Sequence, residues 1–286
     1  MRLVALLFSA AVLTFAGCVQ QIAVSTVGSI IDDGFDALTE EQDLALAKDA
    51  LPANLKLLEV LVKNDPDNRQ LLRLLSEGYS SYSLGFVEDE DADRARMFYL
   101  RGREYALRIL RQDGPLAKAL ESSLDDLDAE LATRGKDDVP ALFWAAFGWG
   151  AYINLSLTEP QALVDLPRVE ALMQFVALKD SSYYYGGADV FLGALYGGRP
   201  KLLGGNPVRA KQHFERALRI NEGKFLMTYI YYAHSYAVQQ QDEALFEDLL
   251  GKVEQASLDV APKARLANAI AKKKAKLMMA KKTDLF

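Results

Sequence analysis

Tyr229-Ile230-Tyr231-Tyr232-Ala233-His234-Ser235-Tyr236 carries a bulky residue, a second bulky residue three positions on, a small residue directly after it, and an aromatic residue three further on. Spacings of three and four put all four side chains on one face of an α-helix. Three other segments repeat the order: Leu72, Leu75, Ser76, Tyr79; Trp144, Phe147, Gly148, Ala151; and Asp189, Leu192, Gly193, Tyr196. A small residue at the third place lets a partner helix come close, and a tyrosine at the fourth fills the gap between neighbouring pairs while its hydroxyl finds a polar partner.

The partner helix is clearest in Ala210-Lys211-Gln212-His213-Phe214-Glu215-Arg216-Ala217-Leu218, where Ala210, Phe214 and Ala217 form one apolar ladder. Asn206 before it suits an N-cap, and Pro207 suits the first helical position, where the missing N–H costs nothing. This alternation is the pattern of tetratricopeptide repeats. Successive motifs are 72, 45 and 40 residues apart, and Gly197–Gly205 is inserted between the last two, so the repeats are divergent and a regular superhelix is not expected.

The rest of the chain is helical in pattern. Leu55, Leu58 and Val62 mark an amphipathic helix between about 53 and 62, stopped by Asn64-Asp65-Pro66-Asp67-Asn68. Further helices are predicted near 69–85 and 93–112, and no stretch of alternating β-branched residues supports a sheet. The expected fold class is therefore all-α: divergent tetratricopeptide-like hairpins packed into a single α-α superhelical domain spanning 41–286.

Composition narrows the function. Half the residues are hydrophobic, as a globular protein requires, and the net charge of −6 argues against a nucleic-acid partner. At the other end of the chain, Arg2 precedes an uncharged stretch from Leu3 to Phe15, and Ala16-Gly17 precede Cys18, the chain's single cysteine. The stretch is too short to span a bilayer but suits a secretion signal, residues 1–17, cleaved before a thiol that then carries lipid. The alternative is an ordinary leader with an incidental cysteine. A bacterial lipobox usually has leucine where Phe15 stands. Val19 follows, without the aspartate that retains lipoproteins in the inner membrane, so the expected address is the periplasmic face of the outer membrane. Residues 18–40 would form the lipidated linker and first helix.

The ordered set Ala50–Glu59, Glu77-Gly78-Tyr79, Tyr99–Leu107, Phe143-Trp144, Trp149-Gly150, His213-Phe214-Glu215 and Asp284-Leu285-Phe286 resembles the T component of TRAP transporters, the tripartite ATP-independent periplasmic uptake systems. The resemblance implies a helical lipoprotein that forms a small homo-oligomer, a trimer, and docks the transporter's periplasmic substrate-binding protein. It also implies internal pores or cavities that pass a hydrophobic small molecule. A different class of function, a tetratricopeptide lipoprotein assisting envelope or outer-membrane assembly through a concave peptide-binding face, stands beside it, and so does carriage of a small molecule without any protein partner.

Catalytic chemistry finds little support, and no enzyme, cofactor or metal is expected. Asp89, Asp91 and Asp93 have calcium-loop spacing, but Arg94 and Leu100 occupy the places where that loop needs glycine and glutamate, which leaves a solvated acidic turn. His213 and His234 lack further ligands at metal spacing and are expected to pack or cap. Gly204-Gly205-Asn206-Pro207 lacks the Gly-Lys-Ser/Thr ending of a phosphate loop.

Binding candidates are aromatic. Tyrosines and tryptophans concentrate in the second half, and those at motif positions are expected to serve packing. Trp149, Tyr184 and Tyr231 lie off those positions and, with Trp144 and the amide Asn154 on its apolar helix, are the expected ligand or partner contacts. The run from Lys263 to Lys282 is basic with an apolar side through Leu266, Ile270, Leu277 and Met278; it suits a membrane or acidic partner, or equally a capping helix that covers the end of the stack.

Overall fold

Backbone polar groups in this chain are satisfied within helices from one end of the described region to the other. The computed structural model describes residues 34–35 and 37–286. The leader, Cys18 and the linker up to residue 33 lie outside them. Helix α1, Leu44–Asn64, is capped by Asp43, whose carboxylate accepts from the amides of Ala45 and Leu46. Asn68 then caps α2, Arg69–Tyr82, by accepting from the Leu71 amide at 3.1 Å, so the polar turn at 64–68 is both stop and start signal. Helix α3 is Ala92–Leu110, and α6, Val139–Asn154, packs most closely on it.

Between α3 and α6 lie two short helices, α4 at Gly114–Glu121 and α5 at Leu124–Ala132, which pack on each other, with α5 also against α7, Leu166–Lys179. This additional hairpin explains why the first two repeat motifs stand so far apart in sequence. Beyond α7 come α8, Tyr183–Gly197, and α9, Pro207–Ile220, the second pair with the closest packing. The last helices are α10, Met227–Tyr232, α11, Glu243–Gln255, and α12, Arg265–Ala280.

The small motif residues do what their size suggests. A methyl group at Gly148 would stand 2.9 Å from the Tyr99 carbonyl oxygen and 3.1 Å from the Arg103 nitrogen, so α6 rests on the backbone of α3. Motif tyrosines meet acids: the hydroxyl of Tyr79 donates to Glu59 at 2.6 Å, and that of Tyr196 to Glu170 at 2.6 Å. Both rings are buried, so each bond ties one helix to a neighbour within a single continuous core.

The stack does not stay open. Helix α12 touches α10 and α11 but also α1, the first long helix. Lys274 of α12 is only 8 % exposed and bonds the Asp89 carboxylate at 2.9 Å, just past the end of α2. Most of the basic run is similarly occupied: Lys282 pairs with Glu243 and Glu247, and Lys272 donates to the Glu254 carbonyl. The C-terminal helix closes the fold, and its lysines serve chiefly that purpose.

Replacing Gly148 with valine should cost about 1–3 kcal/mol through overpacking against backbone that cannot yield, a fall in Tm of several degrees by thermal melt. Gly251 on α11 has open space around it, so Gly251→Ala should instead raise Tm slightly.

Candidate functional site

Closure shapes a partly open cavity of about 560 Å³, lined by α1, α2, α6, α8, α10 and α12. Residues from the beginnings of these helices make it aromatic: Phe143, Trp144, Phe147, Tyr184, Tyr185 and Phe225. Tyr184 meets Trp144 edge-on with ring centroids 4.8 Å apart, and Tyr185 stacks on Phe225 at 4.8 Å. The Trp144 indole N–H is satisfied by the Tyr183 hydroxyl at 3.2 Å. Such a wall offers apolar surface without unpaired donors, the property that suits a hydrocarbon or aryl group.

That wall depends on strained backbone. Tyr184, Tyr185 and Gly186 have φ of 47°, 61° and 79°, a full left-handed step at the head of α8. Glycine adopts this conformation freely, but for each tyrosine it costs about 1–2 kcal/mol. Asn221, buried after α9, holds the step by donating to the Tyr185 carbonyl and the Thr228 hydroxyl, both at 3.0 Å, while accepting from the Gly223 amide. The reversed handedness turns consecutive tyrosine rings into the same aromatic wall, which a right-handed start to α8 would spread around its circumference.

Residues at or just past the helix ends are polar: Glu88, Asn154, Arg199, Ser235 and Gln239. Two π-helical turns contribute here, Ser83–Val87 after α2 and Ala233–Ala237 after α10. Each admits one extra residue per turn and re-aims the side chains that follow. His234, within the second, lines the cavity, and burial lowers its pKa; Glu88 opposes that shift and Lys274 adds to it. Glu88 itself accepts from the Tyr99 hydroxyl at 2.5 Å and from Lys274 at 3.4 Å. Burial pushes the hydroxyls of Tyr184 and Tyr231 far above their ordinary pKa, so both remain neutral.

The structure brings Trp144, Asn154, Tyr184 and Tyr231 together in the cavity lining. Trp149 is not among them. Five residues on from Trp144 it points about 140° around the helix, where it lies buried beneath the Arg103 guanidinium, 5.0 Å from its ring. Motif position does not separate packing residues from cavity residues, because Trp144, Phe147 and Ala151 occupy motif places and line the cavity as well. His213 packs, with its Nδ1 2.6 Å from buried Asp189, whereas His234 faces the cavity instead of packing or capping. The three aspartates are engaged locally: Asp89 with Lys274, Asp91 as the cap of α3, and Asp93 with Arg96. Among the lining residues Glu77, Glu88, Arg199, Lys263 and His234 carry the charge and the titratable nitrogen, yet only contacts between distant segments bring them together.

The profile of the TRAP transporter T-component family matches residues 40–286, which is most of the chain and all of the cavity-forming helices. The chain belongs to that family. A relative from Treponema pallidum (strain Nichols), described as an uncharacterized protein, is 27% identical over 265 residues, covering 87% of this chain and 82% of its own length. The T-component is thus a part of a membrane transporter, and the family is not an enzyme family. Among the described residues no helix is long and apolar enough to cross a membrane.

Asn221→Ala should remove three hydrogen bonds, including the one to the Tyr185 carbonyl. The expected loss is about 2–3 kcal/mol, seen as a lowered Tm together with a weakened near-ultraviolet dichroism signal from the cavity aromatics. An unchanged melt would show that the left-handed step is held by something else.

Proposed function

We propose that this T-component is a lipid-anchored periplasmic protein that assembles as a homotrimer, docks the substrate-binding protein of its transporter, and relays an apolar small molecule through the cavity. Residues 1–17 would be the removed leader and Cys18 the acylated anchor, on the periplasmic face of the outer membrane. The observation that carries the proposal is the cavity itself: a large aromatic-walled space in a transporter component has no packing purpose. Trp144, Tyr184 and Tyr231 would form its apolar contacts, with Asn154 near an opening.

Exposed apolar side chains support a docking role. Leu157 lies in the lining yet is half exposed, and Leu202 and Leu203 stand in solvent on the loop after Arg199, Leu202 at 99 % exposure. Large exposed apolar groups near a cavity mouth are what a partner surface covers. The assembly-scaffold alternative would use a concave face for a peptide, and the contact of α12 with α1 narrows that face.

Sedimentation velocity of the protein mixed with the cognate substrate-binding protein should give a species heavier than either. Absence of any complex at high micromolar concentration would overturn docking. In parallel, an apolar fluorescent dye should bind the protein, and Ala194→Trp, which places an indole in the lining, should weaken that binding by about tenfold or more without lowering Tm.

A further inference from the structure

The charges in the cavity lining are answered by partners or by water. Glu77 pairs with Arg73 at 2.9 Å. Glu88 accepts from the Tyr99 hydroxyl at 2.5 Å and from Lys274 at 3.4 Å, and Lys274 also bonds Asp89 at 2.9 Å. Arg199 donates to the Leu195 carbonyl at 2.7 Å and lies in the field of the Glu170 carboxylate. Lys263 is exposed.

Tyr231 and His234 differ from these. Both line the cavity, and neither side chain makes a hydrogen bond among the described residues. Both can be reached: His234 is exposed, and half-buried Tyr231 is not among the described residues that hold a sealed, unpartnered atom, which are Ser76, Ser80, Arg103, Asp189 and Arg199. Tyr231 ends α10 and His234 lies three residues on, in the π-helical turn that follows, so the two side chains are neighbours on one face. The field of Glu88 acts on both, which places the pair where α12 closes on the end of α2.

The chemistry of this place selects an uncharged head. Tyr231 stays a neutral phenol, and burial disfavours the charged form of His234, so the pair offers a hydroxyl that donates and an imidazole that donates at one nitrogen and accepts at the other. Two carboxylates, Glu88 and Asp89, stand nearby against one ammonium, so a ligand carboxylate meets net repulsion. A ligand ammonium would compete with Lys274, which already holds both acids. An alcohol suits both groups, because its oxygen accepts from Tyr231 while its O–H donates to the unprotonated ring nitrogen of His234.

We infer that Tyr231 and His234 form the polar pole of this cavity, and that the relayed molecule is a neutral amphiphile, an alkyl or aryl alcohol whose body lies against Trp144, Tyr184 and Phe225. This deepens the relay proposed above and rests on it. Displacement of a bound apolar dye by decanol, decanoate and decylamine, matched in chain length, tests the assignment on the purified protein at neutral pH. Decanol should bind at least about tenfold more tightly than either charged compound, since burying a charged head costs more than burying a hydrogen-bonded hydroxyl. Tyr231→Phe, which removes one oxygen, and His234→Leu should each weaken decanol about fivefold, the range of a single hydrogen bond, with the affinity for the dye unchanged. His234→Gln, which keeps a donor and an acceptor, should restore part of that loss. Decanoate or decylamine binding as tightly as decanol overturns the neutral head. Decanol affinity that is unchanged in both Tyr231→Phe and His234→Leu, or that falls only in parallel with dye affinity, overturns the role of the pair; each of these results leaves the relay standing. Failure of all three compounds to displace the dye overturns the relay and this assignment with it.

Discussion

Closure of the helical stack by its last helix is the constraint on which the site depends. Lys274 reaches from α12 to Asp89 and Glu88, residues nearly two hundred positions earlier, and does so from a buried position. A buried ion pair is weak as a source of net stability, since desolvating both partners offsets their attraction. Its use here is register. Lys274 joins α12 to the segment just past the end of α2. Beside it Gly85 allows the contact, because a methyl group there would stand 2.6 Å from the Ile270 side chain. Without this closure the aromatic face would be an open groove.

Around that closed ring, strain and satisfaction are divided in a consistent way. The left-handed Tyr184–Gly186 step and the two π-helical turns all adjoin the same cavity. Helices away from it are regular, capped by Asp91, Asp113 and Asn206 with ordinary geometry. Irregular backbone persists only where the surroundings over-determine it, and such places concentrate at binding sites. Here the over-determination is visible as the three hydrogen bonds of Asn221 and the close packing of α8 on α9.

Much of the architecture was legible beforehand because it rests on local rules. The periodicity around Leu72, Trp144, Leu192 and Tyr232 marked the buried faces, and the starts expected near 69, 93 and 207 fall within a residue of the observed ones, whereas the first long helix, expected from about 53, begins at Leu44. Of the residues expected to contact a ligand, Trp144, Asn154, Tyr184 and Tyr231 share one cavity, whereas Trp149 faces the packing between α3 and α6. Counting around a helix separates the two tryptophans, but it does not say which face adjoins empty space. Glu88, His234 and Arg199 were not legible as site residues, for they sit at the ends of different helices and meet only in three dimensions.

Amphipathic spacing, capping chemistry and the small-residue positions determine an all-helical hairpin stack and the family to which it belongs, because each acts over a few residues along one chain segment. Tertiary structure alone decided that the stack closes and that its interior stays hollow. Those outcomes depend on whether residues far apart in sequence fill space and pair charges, and no local pattern encodes an empty volume.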